Sequence, residues 1–349
     1  MRRVSRIAVA GVATATLTAA LAACGGTSND AADSGDGKSK GIALAYDVGG
    51  KGDQSFNDAA TAGMEKAAAE FKYGSKAVEP TDGESDADKV QRLQTLAKAG
   101  YNPVVGVGYA YAPAVAEVAE KFPKTTFGIV DDETIDKKNV ADMVFHEEQS
   151  SYLAGVAAAL TTKSKTVGFV GGVDIPLIHK FEAGYKQGVA DTNPKVKVVS
   201  QFLTEKAEDG GFASPDKGKT AAEGQIEDGA DVVYHAAGLS GQGVIEAASA
   251  AKVWAIGVDS DQYSQDALKA YKQYILTSAT KDVAGAVYNL AKSVQDGKPE
   301  TGVVRASLKT GGVGLADSNP DFKGNAKLQA ALEKATTGIN DGTIKVKTS

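Results

Sequence analysis

The 349-residue sequence contains one cysteine, Cys24, so no disulfide can form within the chain. A chain of this length without cross-links depends on its hydrophobic core. Arginine is nearly missing: beyond Arg2, Arg3 and Arg6 there are only Arg92 and Arg305. Arginine is the usual bidentate clamp for carboxylates and phosphates. Its scarcity argues against an amino-acid or phosphate-ester ligand and for a neutral polar one. The three histidines, His146, His179 and His235, offer no pair at metal-ligand spacing. The acidic turn Asp131-Asp132-Glu133, with Asp136, lacks the glycine and spacing of a calcium loop. No HExxH helix is present. Neither a metal nor a cofactor is expected, and no set of residues has the spacing of a catalytic constellation.

Long hydrophobic runs are also scarce, with one exception at the start. Residues 7–23 are uncharged and follow Arg2, Arg3 and Arg6. A basic start, an apolar stretch short for a bilayer span and small residues before the cut make a secretory signal. The run Leu21-Ala22-Ala23-Cys24 resembles a bacterial lipobox, which implies cleavage before Cys24 and a lipid on its sulfur. Residues 1–23 are therefore expected to be a lipoprotein signal peptide. The remaining chain would be anchored at the extracytoplasmic face of the cell membrane. Residues 24–40, lipidated at Cys24, carry no large apolar residue and read as a flexible tether. The sixteen residues of coil from Gly25 to Lys40 reach roughly 20–25 Å.

Residues 24–349 hold 35 basic against 44 acidic side chains, a balance of −9. A net negative chain is poorly suited to nucleic acid, which needs clustered Lys and Arg. The length allows two domains of ordinary size.

From Gly41 the chain alternates short apolar runs with helical stretches. Strands are expected at Ile42–Asp47, Pro103–Val107, Thr126–Val130 and Ala141–Phe145. A second set follows at Thr166–Val170, Val196–Phe202, Asp231–His235, Val253–Val258, Ile275–Ala279 and Val303–Leu308. Rich in Val, Ile and Ala without clean alternation, they suit parallel strands covered on both faces. Helical stretches lie between them; Asp86–Lys98, for instance, puts Val90, Leu93 and Leu96 on one face. This rhythm predicts an α/β fold. Ten strands divide more naturally into two sheets than one, and ligands bind outside the carboxyl ends of such strands. Two lobes with those ends facing would form a cleft.

The loops after the strands carry the polar residues such a cleft needs. The first is Asp47-Val48-Gly49-Gly50-Lys51-Gly52-Asp53-Gln54-Ser55-Phe56-Asn57. It fits neither the P-loop nor the dinucleotide pattern. Its glycines allow close backbone approach, and Ser55 or Asn57 is placed to cap the following helix. Other loops carry Asp209-Gly210-Gly211-Phe212, Ala236-Ala237-Gly238, Asp259-Ser260-Asp261-Gln262 and Thr280-Lys281.

The opening signature around Asp47 to Asn57 resembles that of the basic membrane protein lipoprotein family, substrate-binding proteins of ABC importers that include purine nucleoside receptors. Further matches run along the chain. They are Phe127-Gly-Ile-Val-Asp131, Phe145 with Glu148-Gln149-Ser-Ser-Tyr152-Leu-Ala-Gly155, Val167-Gly-Phe-Val-Gly-Gly172, His235-Ala-Ala-Gly238, Ile256-Gly-Val-Asp259-Ser-Asp261-Gln262 and Thr277-Ser-Ala-Thr-Lys281. The resemblance implies a type I periplasmic-binding-protein fold: two Rossmann-like lobes with parallel sheets, joined by three hinge segments. Residues 41–146 with 281–301 would form the first lobe, and 147–280 with 302–349 the second. Hinges are expected near Phe145–Gln149, Thr280–Lys281 and Gly302.

The resemblance also implies roles. Phe56 and Phe212 would sandwich a base, and stacking of that kind is worth ~1–3 kcal/mol per base. Asn57 would read the base edge, and Asp47 and Asp131 would accept from base or sugar. Asp259 would take ribose hydroxyls, Gly238 would offer backbone, and Lys281 would donate to the sugar or pair with Asp259. A single Phe at a helix start is more often a packing staple; two in facing loops of one cleft favour a clamp. The expected partners are a nucleoside, an ABC permease and the membrane through the lipid, with the protein a monomer and not an enzyme. The same fold binding a sugar, or serving as a surface sensor, is the alternative.

Overall fold

In a computed structural model the described residues are 39–81 and 83–349. The expected signal peptide, Cys24 and the expected tether up to residue 38 lie outside them. No helix among the described residues is long and apolar enough to cross a membrane.

The chain first lays down β1 (Lys40–Ala45), α1 (Phe56–Phe71), β2 (Gly74–Val78), α2 (Asp86–Lys98), β3 (Val104–Gly106), α3 (Ala112–Lys121), β4 (Phe127–Val130) and β5 (Val140–Phe145). It crosses at His146 into α4 (Glu147–Thr161), β6 (Thr166–Val173), α5 (Pro176–Thr192), β7 (Lys197–Thr204), α6 (Pro215–Glu227), β8 (Val232–Ala236), α7 (Gly241–Ala251), β9 (Trp254–Asp259) and β10 (Ile275–Lys281). It returns at Asp282 into α8 (Val283–Gln295) and β11 (Gly302–Ala306), then crosses again to β12 (Val313–Leu315), α9 (Pro320–Gly324) and α10 (Ala326–Asn340).

Two six-stranded sheets result, in the orders β11-β5-β4-β3-β1-β2 and β12-β10-β9-β8-β6-β7. All pairings are parallel except β10 with β12. The central strands are buried on both faces, as their continuous Val/Ile/Ala runs require. In the first lobe Ile42, Leu44 and Val105 pack under α1 and α8, while Ala43, Val104 and Ile129 face Leu93 and Val115 of α2 and α3. In the second lobe Phe169, Tyr234 and Ile256 meet Tyr152 and Leu153 of α4, Tyr185 of α5 and Leu332 of α10.

One expected boundary is corrected. Gly302–Ala306 pairs in register with Ala141–Phe145, so it belongs to the first sheet. The last crossing therefore falls at 307–312, a turn in which Gly312 N–H donates to the Ser307 carbonyl at 2.9 Å. The two strands not expected from the sequence, β2 and β12, are both sheet edges. The sequence GSKAV of β2 and the three-residue VGL of β12 need not show a buried apolar run, because an edge is covered on fewer sides.

Candidate ligand-binding site

The carboxyl ends of β1, β4, β8, β9 and β10 converge between the lobes, where a pocket opens. Asp47, Phe56, Asn57, Asp131, Phe212, Gly238, Asp259 and Lys281 all line it.

Lys281, at the end of β10, organises the polar end. Its Nζ lies 2.7 Å from Asp131 Oδ2 and 3.7 Å from Asp259 Oδ1, and all three side chains are buried. Burial opposes the ammonium charge, but Asp131, Asp259 and Glu147 outweigh it and hold the lysine protonated well above its ordinary range. Burial raises the Asp259 carboxyl, against the pull of Lys281. Asp131 follows β4 of one lobe and Asp259 ends β9 of the other; both adopt left-handed backbone, with φ of 69° and 61°. That conformation is unfavourable for residues with a Cβ and is held where the surroundings over-determine it. One oxygen of each, Asp131 Oδ1 and Asp259 Oδ1, is buried without a hydrogen-bond donor.

The walls are apolar. Phe56 opens α1, with its ring 4.7 Å below Lys281 Nζ, a cation–π arrangement. Phe181 of α5 and Phe145 lie 5.5 Å from the same nitrogen. Phe212 comes from the second lobe and lies against Gly172, where a Cβ would stand 2.4 Å from its ring. Gly238, at φ +53°, brings its backbone to the Phe212 carbonyl.

The glycine loop is shaped by Asp53, whose carboxylate accepts from the N–H groups of Ser55, Asn57 and Asp58 at 3.0, 2.8 and 3.1 Å. This corrects the expectation that Ser55 or Asn57 caps α1. Asn57 instead ties the helix to β1: its Oδ1 accepts from Asp47 N–H at 3.1 Å. Asp47 accepts from Val48 N–H at 2.8 Å, and burial pushes its carboxyl up to about 7.

Tyr109, Leu177, Ile178 and Phe181 also line the pocket and were not singled out in the sequence. They lie on a loop and on α5, elements whose periodicity reads as packing. The two arginines among the described residues are engaged elsewhere, Arg92 with Glu84 and Tyr111, and Arg305 with Glu133. Among the described residues no group of His, Cys, Asp and Glu could hold a metal ion.

Two parallel-dominated sheets meeting at their strand ends around one pocket define a type I solute-binding protein. A solute-binding protein of an ABC transporter system from Aeropyrum pernix superposes with a TM-score of 0.77 at 28% identity, covering 89% of this chain and 94% of its own. Residues 41–348 match the Bmp family, described as ABC transporter substrate-binding protein PnrA-like, and the chain belongs to that family of binding proteins. The ABC transporter nucleoside-binding protein BmpA of Lactococcus lactis subsp. cremoris is 36% identical, over 97% of this chain and 98% of its own. A CD4+ T-cell-stimulating antigen of Listeria innocua is 36% identical, over 93% of this chain and 94% of its own.

Proposed function

We propose that this chain captures a nucleoside, with a purine as the base, and delivers it to an ABC permease while a lipid on Cys24 holds it at the extracytoplasmic membrane face. The observation that carries the reading is the pairing of two chemistries in one pocket. Phe56 and Phe212 supply aromatic walls from opposite lobes, and Asp131 and Asp259 each keep an oxygen free of protein donors. A ligand suited to both has a flat apolar part and neutral hydroxyl donors. A phosphate ester suits it poorly, since one lysine faces two carboxylates. The name of the Lactococcus relative supports the same ligand class.

Thermal unfolding against nucleosides, free bases, ribose and hexoses tests it. Ligand at a hundred times its dissociation constant adds about 2.7 kcal/mol, a readable shift. Upshifts with adenosine, guanosine or inosine, and none with ribose, are expected. Shifts with sugars alone would replace the nucleoside by a sugar. No shift with any of them would overturn the reading.

A further inference from the structure

Ser55 is completely buried, yet its side chain does not cap the helix it precedes. Its Oγ lies 2.9 Å from Asp259 Oδ2 and 3.1 Å from the Val258 carbonyl, both in the other lobe. The contact is reciprocated: Ser260 Oγ donates to the Ser55 carbonyl at 2.8 Å. On either side of it, Gln262 Nε2 donates to the Gln54 carbonyl at 3.2 Å and Gln242 Nε2 to the Gly52 carbonyl at 2.9 Å. One first-lobe loop, residues 52–55, thus meets one cluster of second-lobe loop ends through protein groups alone.

We propose that Ser55 is a positioning residue: its hydroxyl reaches across the cleft to fix one oxygen of Asp259, so that closing the lobes aims the other oxygen at the ligand.

A serine hydroxyl has one proton, and of its two acceptors the carboxylate is the stronger. With Oδ2 held by Ser55, the carboxylate cannot rotate freely about its last bond. Oδ1 then stays on the pocket side, near Lys281 and without a protein donor. The left-handed backbone of Asp259 brings the carboxylate into reach of Ser55. When the lobes separate, Ser55 leaves with the first lobe and Asp259 loses its brace. Ligand recognition by Asp259 is therefore coupled to closure. Ser260 contributes to the same closure without bracing the carboxylate.

The ligand arm of the test rests on the nucleoside reading; the scattering arm does not. Full-length wild-type protein, Ser55→Ala and Ser260→Ala are compared in detergent by calorimetry with adenosine, 2′-deoxyadenosine and 3′-deoxyadenosine. Loss of a hydrogen bond to a charged group lowers adenosine affinity about tenfold or more in Ser55→Ala. Discrimination between adenosine and its deoxy analogues falls toward unity in that variant. In Ser260→Ala all three ligands weaken together by several-fold and the discrimination is kept. Discrimination retained in Ser55→Ala, or lost equally in Ser260→Ala, overturns the proposal. If the wild type binds no nucleoside, the function proposed above fails, and small-angle scattering of the ligand-free proteins decides the clasp. Greater dimensions in both variants support it, and dimensions equal to wild type overturn it. If Ser55→Ala does not fold, Ser55→Cys takes its place: it keeps the shape of the buried side chain with a weak S–H donor, and discrimination retained in it overturns the proposal.

Discussion

At the scale of single residues, the side chain with the most to say outside the pocket lining is Glu147. It opens α4 directly after the first crossing and is 1% exposed. Its Oε2 has no hydrogen-bond donor, and the nearest cation, Lys180 Nζ, is 3.7 Å away. Burial pushes this carboxyl up to about 7, with Asp131 adding to the shift and Lys281 and Lys180 opposing it. A carboxyl raised in the fold binds its proton more tightly there than in the unfolded chain. Its contribution therefore falls as pH rises from the ordinary value through about 7, and the penalty persists above. His235 acts with the opposite sign at lower pH. Burial depresses it to about 4, so its contribution is full above its ordinary value and is lost as pH falls toward 4. Glu147→Gln should accordingly unfold at higher temperature than wild type at pH 8 and at nearly the same temperature at pH 4.5. Equal differences at both pH values, read by calorimetry, would remove the proton from the account. Nothing in the sequence around Glu147 signals this, because its burial arises from α5 and β10, both distant along the chain.

At the scale of elements, α4 and α5 pack backbone to backbone, and glycine makes it possible. A Cβ at Gly155 would stand 2.2 Å from the Tyr185 carbonyl oxygen, one at Gly184 2.2 Å from that of Glu148, and one at Gly188 2.0 Å from that of Tyr152. The obstructing atoms are backbone and cannot swing aside. Gly188→Ala should destabilise the fold by ~1–3 kcal/mol through overpacking. A Cβ at Gly224, in α6, would meet nothing within 4 Å, and the backbone there has no positive φ. Gly224→Ala should stabilise by ~0.5–1 kcal/mol, since alanine is the better helix former. Denaturant midpoints of the two variants should move in opposite directions. Movement in the same direction would mean that the helix contact is looser than the geometry requires. The elements themselves were largely legible. Parallel strands buried on both faces show as apolar runs, and the helices between them show helical spacing or begin at proline. The missing pieces were those without such signals, the edge strands β2 and β12. The exceptions are α9, which begins at Pro320, and α10, where Leu328, Leu332, Ala335 and Ile339 keep a readable helical spacing.

At the scale of the whole molecule, Lys281 joins what the two lobes bring. Asp131 comes from the first lobe and Asp259 from the second, while the lysine sits at the second crossing. Lys281→Met would leave two buried carboxylates without their cation. Breaking a buried pair by removing one partner costs about 3–5 kcal/mol. The loss should be larger at pH 8 than at pH 5, because burial raises the Asp259 and Glu147 carboxyls and protons taken up there can replace the missing cation at the lower pH. Chemical denaturation at both values checks this; a loss independent of pH would show that the lysine acts through packing.

The sequence alone determined the class of fold, because the burial of a parallel strand on both faces is a local demand met by local residue choice. Its motifs also marked eight of the residues that line the pocket, since strand ends and the turns after them are contiguous in the chain. Tertiary structure decided what no stretch of chain contains. It placed Gly302–Ala306 in the first sheet through pairing with β5, and it gave the capping of α1 to Asp53. It set Phe181 beside Lys281 and joined Ser55 to Asp259, 204 residues apart. Those are matters of which surfaces meet when two lobes pack, and hydrogen bonds and charges between distant residues take their strength from that meeting.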